Sequence, residues 1–220
     1  MTGETAASRP ALPTLTRDGR LVVVARAQRA EDYDRVLDVL VDAGVRSVEV
    51  TLTTPGTFER LPALIERYRG TADIGVGTVT STDQLQRAID AGAPYVVTPV
   101  TSAELVETAV AAGLPIVPGG LTPTELFASW SRGAAAVKVF PAGQVSAGYA
   151  KDLRGPFPDI RVVPSGGVDL DGARAWLEAG AVAVSVGGPL LGDAFAGGDL
   201  GALRERTVRF VEVCAGGPAS

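Results

Sequence analysis

One phrase recurs along the chain: a helical stretch, a glycine, then a short apolar run. It appears as DAGVRSVEVTL, DAGAPYVVTP, AAGLPIVPGG, SRGAAAVKVFPA and EAGAVAVSVGG, with the glycines at Gly44, Gly92, Gly113, Gly133 and Gly180. Glycine suits the position just past a helix because it tolerates left-handed backbone. The runs that follow are rich in Val, Ile and Ala with little polar alternation, as strands buried on both faces of a parallel sheet are. Less regular copies bring the predicted strands to 21–25, 45–51, 73–77, 94–98, 114–118, 135–140, 160–164 and 182–187. Amphipathic segments lie between them, several opening on an N-cap residue such as Ser81, Thr101 or Asp169. Alternation on this scale predicts an α/β fold, a (β/α)₈ TIM barrel. A doubly wound open sheet accommodates the same alternation.

A length of 220 residues with 46% hydrophobic content suits one sizeable core. The expected division is a loosely ordered N-terminal extension over residues 1–18 and a single domain over 19–215, with the ending AGGPAS also loosely ordered. A net charge of -5 leaves no basic stripe for phosphate backbones, so nucleic acid is not expected as a partner. Cys214, the single cysteine, fits a reducing compartment. No apolar stretch reaches membrane-span length, and MTGETAASRPALP lacks the pattern of a secretory signal, so the expected location is cytoplasmic. There is no histidine, which removes His-dependent triads and most zinc sites. A general base must then be a carboxylate, a lysine or a tyrosine. Of 20 basic residues only Lys138 and Lys151 are lysines.

Barrel active sites gather at the carboxyl ends of the strands. Those ends carry Arg26; Glu49 with Thr51, Thr53 and Thr54; Thr78; Thr98 and Pro99; Pro118, Gly119 and Gly120; Lys138; Ser165, Gly166 and Gly167; and Gly187 and Gly188. Lys138 lies in a run otherwise apolar from Ala134 to Phe140, which places it inside the barrel. Burial disfavours an ammonium and favours the neutral amine that attacks carbonyls. A structural ion pair with Glu49 is the competing reading. Glu49, between Val48 and Val50, is the best-placed proton shuttle, or else a charge partner for Lys138 or Arg26. Arg26 has the planar fork that grips carboxylates, although surface arginines are common at strand ends. The two glycine pairs after the last strands match loops that bind phosphate through backbone N–H groups. Lys151 sits on a polar helix face.

These segments occur in the order VEVTLTTP, GVGTVTS, VVTPV, VPGGLTPTE, VKVFPAG, GPFPDIRVVPSGGV and VSVGG. In this the chain resembles the 2-dehydro-3-deoxy-phosphogluconate (KDPG) / 4-hydroxy-2-oxoglutarate (KHG) aldolases from about Leu21 to about Leu191. The resemblance implies a class I aldolase on a (β/α)₈ barrel, without metal or cofactor, assembled as a homotrimer. It assigns Lys138 the Schiff base and Glu49 the proton transfers. Arg26 and Thr78 would hold the pyruvate carboxylate and neighbouring oxygens, Pro99 and Phe140 would shape the pocket, and Ser165, Gly166, Gly167, Gly187 and Gly188 would receive the distal phosphate. Some members carry arginine at the position of Thr53; others have threonine there and an arginine where Arg26 stands. Serine at 165 keeps the hydroxyl of the threonine common in the family, whereas Pro189 removes a backbone donor.

The implied reaction cleaves 2-dehydro-3-deoxy-6-phosphogluconate to pyruvate and glyceraldehyde 3-phosphate, with 4-hydroxy-2-oxoglutarate as a further substrate. The galactonate epimer is the alternative substrate. A sugar-phosphate epimerase on the same barrel would use Lys138 and Glu49 as acid and base without a covalent intermediate. A phosphometabolite-binding barrel without turnover is the non-enzymatic alternative.

Overall fold

The computed structural model describes residues 9–216. Strands and helices alternate as α1 (Thr14–Gly19), β1 (Leu21–Ala25), α2 (Tyr33–Asp42), β2 (Ser47–Thr51), α3 (Thr57–Arg67), β3 (Asp73–Gly77), α4 (Thr82–Asp90) and β4 (Val96–Val97). They continue as α5 (Ala103–Ala111), β5 (Ile116–Val117), β6 (Gly119–Gly120), α6 (Pro123–Trp130), β7 (Val137–Val139), α7 (Tyr149–Arg154) and β8 (Val162–Pro164). The last elements are α8 (Leu170–Glu178), β9 (Val184–Val186), α9 (Gly188–Leu191) and α10 (Leu200–Ala215). No helix among the described residues is long and apolar enough to cross a membrane.

The recurring phrase acquires a physical form. Each of its five glycines has positive φ, and the residue after it donates its N–H five residues back. The bonds are Val45 to Leu40, Ala93 to Ala88, Leu114 to Ala109, Ala134 to Ser129 and Ala181 to Trp176, at 2.9–3.3 Å. This is the Schellman closure: it satisfies an end carbonyl and turns the chain directly into the next strand. Ser81 and Asp169 cap α4 and α8 as expected. Thr101 does not cap α5. Ser102 accepts from Leu105 N, while Thr101 Oγ1 turns to the carbonyl of Gly119 at 2.9 Å.

All strand pairs are parallel. They form a six-stranded half-barrel sheet, β5-β4-β3-β2-β1-β9, and a three-stranded sheet, β6-β7-β8. The expected single ring of ladders is thus divided, and both divisions fall at a proline. Ile116, Pro118 and Gly120 turn their carbonyls toward the β7 segment, where they accept from Ala135, Lys138 and Phe140. Pro118 splits the strand expected over 114–118 because it has no N–H to return across that seam. Pro164 removes a donor in the same way at the β8–β9 seam, which Val182 N to Val162 O (3.0 Å) and a Ser165–Ser185 bridge still span.

The main core lies between strands and helices, with Val48, Val50, Val137 and Val139 facing it. A second cluster of Leu12, Val22, Tyr95, Val97, Val117, Ala135, Ala136, Val163 and Ala183 fills the opposite, inner face. Loose order over 1–18 is corrected for the described part. Leu12 joins the inner cluster, and α1 brings Thr16 N and Oγ1 to Asp73 Oδ2, both at 2.8 Å. Arg9 stacks on Trp130 at 3.3 Å. These anchors are chiefly polar, so apolar patterning does not reveal them. Residues 1–8 and 217–220 lie outside the described residues, while Ala215 ends α10 and Gly216 caps it.

Candidate active site

Side chains alternate across a strand, so the apolar neighbours of a charged residue and the charge itself face opposite ways. Val137 and Val139 enter the outer core; Lys138 therefore points to the inner face and is only 7% exposed. Glu49 does the same between Val48 and Val50 and is 1% exposed. A cavity of about 580 Å³ opens above them. Its walls include Arg26, Glu49, Thr78, Pro99, Lys138, Phe140, Ser165, Gly166, Gly167, Gly187 and Gly188, which is every site residue singled out by the resemblance. Thr51, Thr53, Thr54, Thr98, Pro118, Gly119 and Gly120 do not line it. Thr54 Oγ1 accepts from Ala27 N (3.0 Å) and donates to Ala27 O (3.2 Å), bracing the loop that carries Arg26. Lys151 is exposed on α7.

The structural ion pair does not form. Among the described residues no ion pair includes Lys138, Glu49 or Arg26. The buried Glu49 Oε2 has no hydrogen-bond partner among the described residues. Lys138 Nζ lies over the Phe140 ring, 5.1 Å from its centroid. Buried polar groups normally find partners, so two ionisable side chains without one in a single cavity stand out as candidates for a functional site.

Strand β3 makes the space. A methyl at Gly77 would overlap the Glu49 carboxylate, and one at Gly75 would overlap the Tyr95 ring. The next residue, Thr78, has φ 64°, a costly conformation for a β-branched side chain, and lines the cavity. Below Glu49 the polar groups are paired: Ser47 Oγ meets Tyr95 OH at 2.8 Å and Thr16 Oγ1 at 2.9 Å. Burial pushes the Tyr95 phenol far above its usual range; the Ser47 hydrogen bond opposes this and the Glu49 charge adds to it. Tyr95 is therefore a neutral hydroxyl.

At the other end of the cavity, Ser165 Oγ donates to Ser185 Oγ at 3.1 Å. Gly166 and Gly167 have φ 85° and 80°, and a methyl at Gly166 would press on Phe140 at 3.0 Å. The N–H groups of Gly167 and Gly188 donate to no group among the described residues. Pro189 also lines the cavity and contributes no donor. No cluster of three or more acidic or cysteine side chains gathers at metal-ligand spacing among the described residues.

The family model described as "Aldolase: KDPG and KHG aldolase" matches residues 13–203. The chain belongs to this family. It is 36% identical over 168 residues to the 2-dehydro-3-deoxy-phosphogluconate aldolase of Pseudomonas aeruginosa, covering 76% of each chain. It is 32% identical over 171 residues to the 2-dehydro-3-deoxy-6-phosphogalactonate aldolase of Escherichia coli, covering 77% of this chain and 83% of the other. The native KDPGal structure superposes with a TM-score of 0.81 at 29% identity, covering 88% of this chain and 93% of the other. As an aldolase of this family the chain is a carbon–carbon lyase.

Sequence reasoning missed part of the aldolase cavity. Gln28, Leu191, Gly192, Asp193, Phe195 and Ala196 also line it. The segment that holds five of these follows the last glycine pair as a short α9 and a turn, without the periodicity that marks a wall. Its one legible signal is the glycine content of GGPLLGDAFAGG.

Proposed function

We propose that this aldolase reversibly cleaves 2-dehydro-3-deoxy-6-phosphogluconate to pyruvate and glyceraldehyde 3-phosphate through a Schiff base on Lys138. The observation that carries the reading is Lys138 and Glu49 together in one cavity, buried and in no ion pair among the described residues. The Lys138 amine adds to the C2 keto carbon, and loss of water gives an iminium. Glu49, directly or through a water, takes the C4 hydroxyl proton as the C3–C4 bond breaks. The bonding pair passes into the iminium, leaving the enamine of pyruvate and releasing the aldehyde. Protonation at C3 and hydrolysis then return pyruvate and free Lys138.

Arg26 and Thr78 hold the pyruvate carboxylate and nearby oxygens, with Pro99 and Phe140 as walls. Ser165 and the N–H groups of Gly166, Gly167, Gly187 and Gly188 receive the phosphate. The unengaged donors of Gly167 and Gly188 support this assignment. The likeness to galactonate aldolases makes the C4 epimer a second substrate, and 4-hydroxy-2-oxoglutarate, cleaved to pyruvate and glyoxylate, a third. The protein needs no cofactor and works as a cytoplasmic homotrimer. Its two sheets close into one eight-stranded barrel, supported by the hydrogen bonds across both seams. That barrel is a single domain beginning near residue 19, with α1 as a plug.

Pyruvate release from the three substrates, followed by lactate dehydrogenase, tests the reading. Turnover of at least one phosphorylated epimer is expected. Epimerisation of sugar phosphates without pyruvate release would move the assignment to the epimerase.

A further inference from the structure

Outside the cavity, α10 sends one arginine toward the turn that ends the cavity's glycine-rich wall. Arg206 Nε donates to the carbonyl of Leu190 at 2.8 Å, and a terminal nitrogen donates to that of Leu191 at 3.2 Å. These are end carbonyls of α9, which has only four residues and cannot satisfy them internally. Arg206 enters no ion pair among the described residues, so its fork serves this turn. Gly192, at φ 55°, allows the approach; a methyl there would sit 2.9 Å from the guanidinium.

The turn held in this way has both ends in the cavity wall: Gly188 and Pro189 on one side, Leu191, Gly192 and Asp193 on the other. Gly192 N bonds Gly188 O at 2.8 Å and couples the two ends. Fixing the Leu190 and Leu191 carbonyls therefore fixes the direction of the Gly188 N–H. Pro189 makes that direction matter more, because the residue after Gly188 offers no donor.

We propose that Arg206 is a positioning residue for the distal phosphate, acting through α9 without touching substrate. The inference rests on the function proposed above. A guanidinium spans two carbonyls as a rigid fork, whereas an ammonium is a point charge. Arg206→Lys should raise KM for the phosphorylated substrate about ten-fold, the scale of one charge-assisted hydrogen bond. Its kcat should stay within about two-fold, because the phosphate is held alike in ground and transition states.

The test compares wild type, Arg206→Lys and Arg206→Gln in two assays. One is steady-state cleavage of the phosphorylated substrate. The other is the pyruvate concentration giving half-maximal inactivation by borohydride, which involves no phosphate. A raised KM with unchanged kcat and unchanged pyruvate dependence, in variants that keep the wild-type Tm within a few degrees, supports positioning. An unchanged KM, or equal losses in both assays, overturns it in favour of a structural role or none. Wild-type protein that neither releases pyruvate nor traps it would overturn the underlying function and this inference with it. Wild-type turnover beside an unaltered variant KM would overturn the inference alone.

Discussion

Two ends of the same inner face treat their polar groups in opposite ways. At the amino end, Ser47 bonds Tyr95 and Thr16, and Thr16 bonds Asp73, so that α1 is sealed beneath the strands. Two residues further along β2, on the same face, Glu49 keeps a buried oxygen with no partner among the described residues, and none of their ion pairs includes Lys138. The strands supply both environments; what differs is whether the polar groups are satisfied by the protein itself. A satisfied network stabilises the fold, whereas an unsatisfied one costs stability and is retained where it acts on a ligand.

Substitutions at the two ends should therefore separate activity from stability. The largest effect is expected at Lys138. Lys138→Ala should lower kcat/KM by at least about 10³-fold, with Tm held or raised because a buried polar group without a hydrogen-bond partner among the described residues is removed. Steady-state kinetics and thermal unfolding check the pair of outcomes. Glu49→Gln should follow, with kcat down about 10²- to 10⁴-fold as proton transfer is lost and no loss of Tm.

The glycines of β3 allow the same comparison by steric means. Gly77→Ala pushes the Glu49 carboxylate, a flexible group that can move, so kcat should fall about 10²-fold in a protein that still folds. Gly75→Ala drives a methyl against the rigid, fully buried Tyr95 ring and should cost about 1–3 kcal/mol of stability. Equal losses of kcat relative to folded protein in the two variants would break the distinction between the ends. The smallest effect belongs to Tyr95→Phe, which removes the Ser47 hydrogen bond. Denaturant unfolding should show a loss of about 1–2 kcal/mol, with kcat unchanged.

Much of this was legible in the sequence because charge stands out in an apolar strand. Lys138 between Val137 and Val139 and Glu49 between Val48 and Val50 could face only the interior, and the helix–glycine–strand phrase set each on a strand of its own. The parts that were not legible lack that contrast. Gly75 and Gly77 read as weak points in a strand, although what they supply is room for side chains from neighbouring strands. Thr16 looks like part of a polar tail because its anchors are hydrogen bonds to Ser47 and Asp73, distant in sequence. The wall from Leu191 to Ala196 has neither period nor charge pattern beyond Asp193. Pro118 and Pro164 were visible, but which edge each would leave without a donor depends on strand register.

The proposed function stands on Lys138 forming a covalent bond to substrate. Borohydride reduction in the presence of pyruvate, followed by intact and peptide mass spectrometry, tests it directly. One reduced pyruvate per chain on the peptide containing Lys138 is the result expected. Folded, unmodified protein, or a label on the exposed Lys151 instead, would contradict it.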